Sequence, residues 1–159
     1  MHARLSFTTD SGPQDEAAAR AALAELRPPT TTPYLYGAVE LDEPGKAALR
    51  FEDDLEYLVY NLCIQAPRDL AANGHADVWM ASWPQTYTLR RDGADVVFTD
   101  DEGTEVGRFA EEELLPALED CAWRFVDFMG ELSRVRPEWG KLHARLLRDM
   151  ATDPNPAAA

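Results

Sequence analysis

The stretch from Glu111 to Val135 constrains the fold more than any other part of the chain. Large apolar residues recur there in steps of three and four, which is the spacing of one face of an α-helix. Charged residues take most of the opposite side. We therefore predict a long amphipathic helix at the centre of the hydrophobic core. Its apolar face consists of Leu114, Leu118, Cys121, Phe125, Phe128 and Leu132.

The start of this helix carries two unusual features. Glu111, Glu112 and Glu113 occupy the first turn, where carboxylates interact favourably with the helix dipole. Successive helical residues point about 100° apart, so we expect this triplet to cap the helix and not to converge on a metal ion. Pro116 lacks an N–H and is harmless only in the first turn. Either the regular helix begins near Glu112 or Glu113, or it is kinked at Pro116.

Alternating apolar and polar residues predict strands in much of the remaining chain. The second and third of these form a hairpin, and the last three form a β-meander. We expect Asp92-Gly93 to make a two-residue hairpin turn, because this dipeptide suits positive φ. The predicted strands cover His2–Thr9, Tyr34–Leu41, Lys46–Phe51, Ala76–Ala81, Thr86–Arg91, Asp95–Thr99 and Thr104–Phe109.

Three further helices are predicted. An Ala-rich helix spans Gln14–Arg27, with Ala18, Ala22 or Leu23, and Leu26 on its apolar face. A second follows the acidic residues from Glu52 to Glu56, is interrupted by Pro67, and ends at Asn73-Gly74. The last covers Glu138–Met150.

This order of elements predicts an α+β fold. We expect a two-layer sandwich with an antiparallel or mixed sheet, a central β-meander and helices packed on one face. Residues 1–150 form a single domain in this interpretation, and residues 151–159 form a disordered tail.

The charge balance restricts the partners of the chain. There are 29 acidic and 15 basic residues, giving a net charge of −14. A strongly acidic chain is a poor ligand for nucleic acid or an anionic membrane surface, so we expect neither as a partner. A basic protein remains open. Because no secretory signal or membrane-length apolar run is evident, we predict a cytoplasmic protein in which Cys63 and Cys121 are buried thiols.

No motif in the chain indicates a reaction. There is no phosphate-binding Gly-rich loop, no nucleophile elbow and no pair of histidines at helical spacing. The acidic residues near Asp100 do not match the spacing of a calcium loop. We therefore expect no cofactor, no metal and no catalytic residue, which favours a protein without enzymatic activity.

Two sequence features point to a partner-binding surface. Trp79 lies on the strand face opposite Val78 and Met80, so it faces solvent or a partner unless both sheet faces are covered. From Asp92 to Asp120 there are eleven acidic residues and one base, which indicates either a solvated face or a surface that captures a basic protein. The predicted binding residues are Trp79, Trp83, Asp100, Asp101, Glu102 and Glu105.

A resemblance to a known group supports this interpretation. It rests on Tyr87-Thr88-Leu89, Asp92-Gly93, Val96-Val97-Phe98, Gly107-Arg108-Phe109 and Glu113-Leu114-Leu115. This layout, over about residues 52 to 133, resembles small acidic proteins of high-GC bacteria, some of which are immunity proteins of toxin–immunity pairs. The resemblance implies a cytoplasmic binder without catalysis and transfers no functional residue.

Two alternatives stay open. One is a small-ligand-binding protein or enzyme with a pocket between sheet and helix, lined by Trp79 and by four tyrosines. The other is a homodimer, with a sheet edge or the last helix at a twofold interface. The four tyrosines are Tyr34, Tyr36, Tyr57 and Tyr60.

Overall fold

The computed structural model describes residues 1–9, 11–23 and 35–152. Helices and antiparallel strands make up these ranges, which confirms the predicted α+β class. The strands fall into two four-stranded sheets. Tyr34 and residues 153–159 of the predicted tail lie outside the described residues. The predicted start of the tail at residue 151 is wrong, because Ala151 is the last residue of the C-terminal helix.

The first sheet is antiparallel and has the strand order β2-β1-β3-β4. Its third and fourth strands form the predicted hairpin, although the return strand begins three residues later than expected. The register places Tyr36 opposite Asp54 at one end of the sheet. The strands are β1 (His2–Thr9), β2 (Gly12–Asp15), β3 (Tyr36–Asp42) and β4 (Leu49–Asp54).

The predicted helix over Gln14–Arg27 is wrong at its start. Residues Gly12–Asp15 instead pair with β1, and helix α1 covers Glu16–Ala21. Asp15 caps this helix by accepting a hydrogen bond from the Ala18 N–H at 2.8 Å. Ala19 is the buried residue of α1, and Ala18 is exposed. Backbone pairing with β1 outweighs helix propensity here, and residues 24–27 lie outside the described ranges.

The helix after β4 is not interrupted by Pro67, contrary to the prediction. Three segments follow one another without a break, and the middle one is a π-helix, which closes wider turns. Pro67 is the second residue of the third segment, and the helical backbone continues through it. The segments are α2 (Leu55–Leu58), the π-helix (Val59–Gln65) and α3 (Ala66–Asn73).

The second sheet consists of the three strands of the predicted β-meander and one further strand, in the order β5-β6-β7-β8. The hairpin turn between β6 and β7 lies one residue later than predicted. Asp92 pairs with Asp95, so Gly93 and Ala94 are the central residues, and Gly93 has a φ of 66°. Gly at the first central position is typical of a type II′ turn. The strands are β5 (His75–Trp79), β6 (Thr86–Asp92), β7 (Asp95–Thr99) and β8 (Glu105–Ala110).

Helix α4 spans Glu111–Val135, as predicted, and buries its whole apolar face. It begins at Glu111 and continues through Pro116, so a later start is excluded. Phe128 stacks on Phe7 of β1, with ring centroids 4.3 Å apart. After a 3-10 turn at Pro137–Trp139, helix α5 (Gly140–Ala151) packs on α4. The two sheets also contact each other: the ring centroids of Phe51 in β4 and Phe98 in β7 are 5.9 Å apart.

We predict that Gly37→Ala prevents folding or destabilises the protein by more than about 3 kcal/mol. A Cβ at Gly37 would clash with the backbone oxygen of Ser6 and would lie 2.7 Å from Cδ1 of Leu55. The backbone of β1 cannot shift to relieve this clash, because β1 lies between β2 and β3 in the sheet. Urea or thermal unfolding measures the loss.

Gly140→Ala is the matched control for this substitution. Gly140 has a φ of −61°, and a methyl group added there would meet no heavy atom within 4 Å. We expect a change between zero and a gain of about 1 kcal/mol. Equal losses for the two variants would contradict the steric explanation.

Candidate functional site

The two predicted tryptophans lie at one end of the second sheet. Trp79 is the last residue of β5 and is 49% exposed, and Trp83 in the following loop is 61% exposed. The register pairs Trp79 with Thr86, whose backbone N–H donates to Asp101 Oδ1 at 2.9 Å. The structure therefore brings Trp79 and the β7–β8 turn, with its acidic residues, to the same end of the sheet.

The four predicted acidic residues differ in how far their charges are engaged. Asp100 holds the turn together, since its Oδ1 accepts hydrogen bonds from the N–H groups of Glu102 and Thr104 at 3.0 and 2.8 Å. Asp101 accepts the hydrogen bond from the Thr86 N–H of β6. Glu105 forms an ion pair with Arg108 at 3.0 Å. Glu102 points from the turn into solvent and is exposed.

Much of the acidic run between Asp92 and Asp120 is neutralised by arginines. Arg108 contacts Asp92 at 2.9 Å and Asp95 at 3.7 Å in addition to Glu105. Its hydrogen bond to Glu105 lowers the pKa of the Glu105 carboxyl. Arg91 forms two hydrogen bonds with Glu111 at 2.6 and 2.8 Å and lowers the pKa of that carboxyl. Exposed pairs of this kind contribute little to stability, but they reduce the net field of this edge.

Three of the four predicted tyrosines do come together around Trp79. The ring centroids of Tyr57 and Trp79 are 5.9 Å apart, with the rings inclined at 46°. These two rings are shared by two neighbouring hollows. The first, which we call the aromatic hollow, has a volume of about 390 Å³ and is lined by Tyr36, Asp54, Tyr57, Trp79, Ala81 and Ser82.

The second hollow has a volume of about 400 Å³. Tyr60 belongs to this hollow and not to the first. Arg145 of α5 also lines it and forms ion pairs with Glu56 and, at 4.0 Å, with Asp149. The second hollow therefore already contains a cation of the protein itself.

Asp53 holds the aromatic hollow together, and it was not among the residues predicted for the site. Its side chain is buried, with 1% exposed, and accepts hydrogen bonds from the backbone N–H groups of Ala81 and Ser82. A third bond comes from the N–H of Asp54 at 2.7 Å. The end of β4 is thereby tied to the loop after β5. No local signal reveals this contact, because 28 residues separate Asp53 from Ala81.

Asp54 is the carboxylate that faces the hollow. It is only 4% exposed, and its Oδ1 accepts a hydrogen bond from the Glu56 N–H at 3.0 Å, capping α2. Burial raises the pKa of Asp54 to about 6, and the charges of Glu56 and Asp53 act in the same direction. Within the described ranges, no Lys or Arg forms an ion pair with Asp54.

Tyr36 and Ser82 close one side of the aromatic hollow. Tyr36 lies opposite Asp54 in the β3–β4 register, so the two side chains share a face of the sheet. The Tyr36 hydroxyl hydrogen-bonds to the Ser82 hydroxyl. Asn61 fixes the other side, since its Nδ2 donates to the Trp79 carbonyl at 3.1 Å. The hollow is therefore held by hydrogen bonds from both sheets and from the helical segment after β4.

A larger cleft of about 840 Å³ lies between β1, the start of α1 and α4. Its acidic residues are largely matched by arginines. Arg124 pairs with Glu16 and, at 2.8 Å, with Asp120. Arg4 contacts Asp42 at 3.2 Å. Asp15 also lines this cleft and forms no ion pair with a described residue, but it is exposed to solvent, whereas Asp54 of the aromatic hollow is buried.

A metal site, a membrane span or a known relative would each be a further indication of function. In the part of the chain that the structure describes, no group of three or more His, Cys, Asp or Glu side chains is placed to hold a metal ion. None of the described helices combines the length and apolarity needed to cross a bilayer. No family model, curated protein or solved structure matches the chain.

We predict that Asp53→Asn destabilises the protein by about 1–3 kcal/mol. One carboxylate oxygen becomes an NH2 group that faces a backbone N–H of the Ala81–Ser82 loop. Asp77→Asn is the control, because Asp77 is exposed and its oxygen still accepts from the Thr88 hydroxyl. It should change stability by less than about 0.5 kcal/mol. Urea unfolding at pH 7 tests both variants, and similar effects would contradict the anchoring role.

A second prediction concerns the pH dependence of stability at Asp54. The pKa of this carboxyl is higher in the folded state than in the unfolded chain, where it is near 3.8. The unfolded chain therefore releases the proton first as pH rises, and the contribution of Asp54 to stability falls between pH 4 and 6. The loss is about 1–2 kcal/mol, since the hollow is open to solvent.

Asp54→Asn isolates this effect. Asn caps a helix about as well as Asp, and its amide does not titrate. The difference in unfolding free energy between variant and wild type should grow in favour of the variant from pH 4 to pH 7. Unfolding curves at a series of pH values measure it, and a constant difference would refute the assignment.

Proposed function

We propose that this protein is a non-enzymatic binding module that captures a basic protein through the surface around the aromatic hollow. One observation carries the proposal: the exposed rings of Tyr57 and Trp79 lie 5.9 Å apart beside Asp54, and the loop that follows Trp79 exposes Trp83 as well. Exposed Trp and Tyr side chains are the preferred anchors of protein interfaces. Isolated apolar residues on a surface need no explanation, but two adjoining exposed aromatic rings that line a hollow do.

The charge of the chain supports a basic partner. The net charge of −14 creates a long-range field that attracts cations and accelerates association. At the binding surface itself, Asp101 and Glu102 of the β7–β8 turn supply negative charge at the rim. Charges at a rim mainly raise the association rate, whereas buried aromatic anchors slow dissociation.

The rigidity of the surface also suits binding. Asp53 fixes the loop that carries Trp83, and Asn61 fixes the backbone of Trp79. A preorganised surface loses less conformational entropy when a partner binds. The aromatic side chains are thus already close to the positions in which they would meet a partner.

Inhibition of a toxin in the cytoplasm is the specific role that we propose for this binding. It follows from the resemblance to immunity proteins together with the acidic surface. In such a role the protein needs no catalytic group, cofactor or metal. Its partner would be a basic enzyme that the aromatic surface covers.

Affinity capture of the tagged protein from its native lysate tests the proposal. We expect a stoichiometric basic protein at low salt that is lost at high salt. Trp79→Ser combined with Trp83→Ser should abolish capture. Trp123→Ser is the matched control, because Trp123 is 40% exposed on α4, away from this surface. Recovery of the tagged protein alone, or equal capture by all variants, would contradict the proposal.

The charges at the rim generate a kinetic prediction. Asp101→Asn with Glu102→Gln should slow association with the captured partner about three- to tenfold at low salt and flatten its salt dependence. Asn at position 101 keeps the acceptor for the Thr86 N–H. Glu119→Gln with Asp127→Asn removes the same charge from the exposed side of α4 and should have a smaller effect. Stopped-flow kinetics at several salt concentrations distinguishes the two pairs.

Small-ligand binding is a second candidate function. It is favoured by the meeting of two hollows at Tyr57 and Trp79, which together offer a concave aromatic site. Saturable binding of a metabolite to the purified protein, with no protein captured, would favour this candidate. A mass that rises with concentration would instead favour a homodimer, with a sheet edge or the last helix at the interface.

A further inference from the structure

The aromatic hollow combines two features that together select a type of ligand. The first is a set of three aromatic rings, from Tyr36, Tyr57 and Trp79, around one concave site. The second is a nearly buried carboxylate, Asp54, whose single hydrogen bond in the described part of the chain is the capping bond from the Glu56 N–H. The rings come from three different elements, so their convergence is a product of the tertiary fold.

These features select the charge of a ligand. An anion would be repelled by Asp54 and by the neighbouring Asp53 and Glu56. A neutral apolar group would leave the Asp54 carboxylate desolvated without compensation. A cation gains from the carboxylate and from the negative faces of the aromatic rings.

The neighbouring hollow shows the same preference within the protein. There, Arg145 approaches Glu56 and Asp149 beside the shared Tyr57 and Trp79 rings. A guanidinium group of the protein thus already lines the hollow on one side of these two rings, where it pairs with carboxylates. On the other side, the corresponding position beside Asp54 has no cationic side chain among the described residues.

We propose that the aromatic hollow binds one organic cation, the guanidinium or ammonium end of an Arg or Lys side chain of the basic partner. This inference rests on the proposed function and adds the chemical group that is recognised. The carboxylate of Asp54 pairs with the cationic head, and the Tyr57 and Trp79 rings contact the head and its aliphatic stem. The hydroxyls of Tyr36 and Ser82 supply further acceptors at the same site.

The choice of Asp at position 54 agrees with this role. The capping bond to the Glu56 N–H requires only an acceptor oxygen, which Asn supplies equally well without charge. The carboxylate instead destabilises the free protein above its pKa, because it is buried without a counter-ion. A bound cation removes this destabilisation, which is a common property of binding sites.

The titration of Asp54 determines how binding depends on pH. Protonation of Asp54 removes the charge that pairs with the cation, so affinity should fall as pH drops through about 6. Other charged groups near Asp54 are already engaged. Asp53 accepts backbone N–H bonds from Ala81 and Ser82, and Glu56 pairs with Arg145 of α5.

The test is an NMR titration of the full chain with propylguanidinium and butylammonium at pH 7.5, using the neutral N-propylacetamide as control. We expect saturable shifts of the Trp79 indole N–H with both cations, and none of the Trp123 indole. The neutral probe should leave both signals unchanged. Asp54→Asn should weaken binding at least about tenfold, since the charge-assisted bonds are lost.

A second arm repeats the titration between pH 5 and 8. The affinity of the wild type should rise with pH across this range, whereas the weaker binding to Asp54→Asn should be independent of pH. The two-dimensional spectrum of the variant shows directly that it is folded. Equal affinity of both proteins for the cations, or equal shifts with the neutral probe, would overturn the inference.

The outcomes separate this inference from the proposed function. If Trp79→Ser with Trp83→Ser abolishes partner capture but Asp54→Asn does not alter it and no cation binds, the inference fails and the proposed function stands. If the cations bind as expected but no protein is captured, the protein partner is refuted and the hollow takes a free organic amine or guanidine. Loss of both capture and cation binding in Asp54→Asn supports the whole proposal.

Discussion

The burial of the α4 stripe is the interaction on which the rest of the structure depends. Helix α4 contacts strands of both sheets, the π-helix and α5. Its apolar face therefore holds these elements together in one core. Phe128 stacks on β1, and Leu114, near the other end of the helix, is fully buried. Burying each large side chain contributes about 1.5–3 kcal/mol, and a face of this width therefore dominates the placement of both sheets.

The candidate site lies where this arrangement brings the ends of the two sheets together. Main-chain groups of the loop after β5 meet the end of β4, and Asp53 satisfies them with one buried carboxylate. The adjacent Asp54 receives, from the residues that the structure describes, only its capping bond, and it faces a hollow of aromatic rings. Two successive acidic residues therefore have opposite roles: the first stabilises the fold, and the second is held in an unfavourable environment that a cation would relieve.

The electrostatic character of the surface depends on pairing more than on composition. A single arginine, Arg108, contacts three carboxylates of the acidic run, and Arg91 of β6 forms an ion pair with Glu111. The predicted acidic edge is consequently weaker than a count along the chain indicates. Asp100 and Asp101 also bind backbone N–H groups, so part of their charge stabilises the turn. What remains is a rim of acidic groups beside the exposed tryptophans.

The sequence by itself determined the elements whose signal is local. The existence of the long helix α4 follows from its apolar spacing, and the meander follows from alternation and from the Gly at 93, because these patterns reflect the geometry of single helices and hairpins. The sequence also placed Trp79 on the strand face opposite Val78 and Met80, and the tertiary structure leaves that side chain exposed. Only the tertiary structure decided that Gly12–Asp15 forms a strand, that Asp53 holds a loop 28 residues away, and that Tyr36, Tyr57 and Trp79 surround Asp54. These are contacts between distant segments, and their energy depends on partners that no local pattern in the chain identifies.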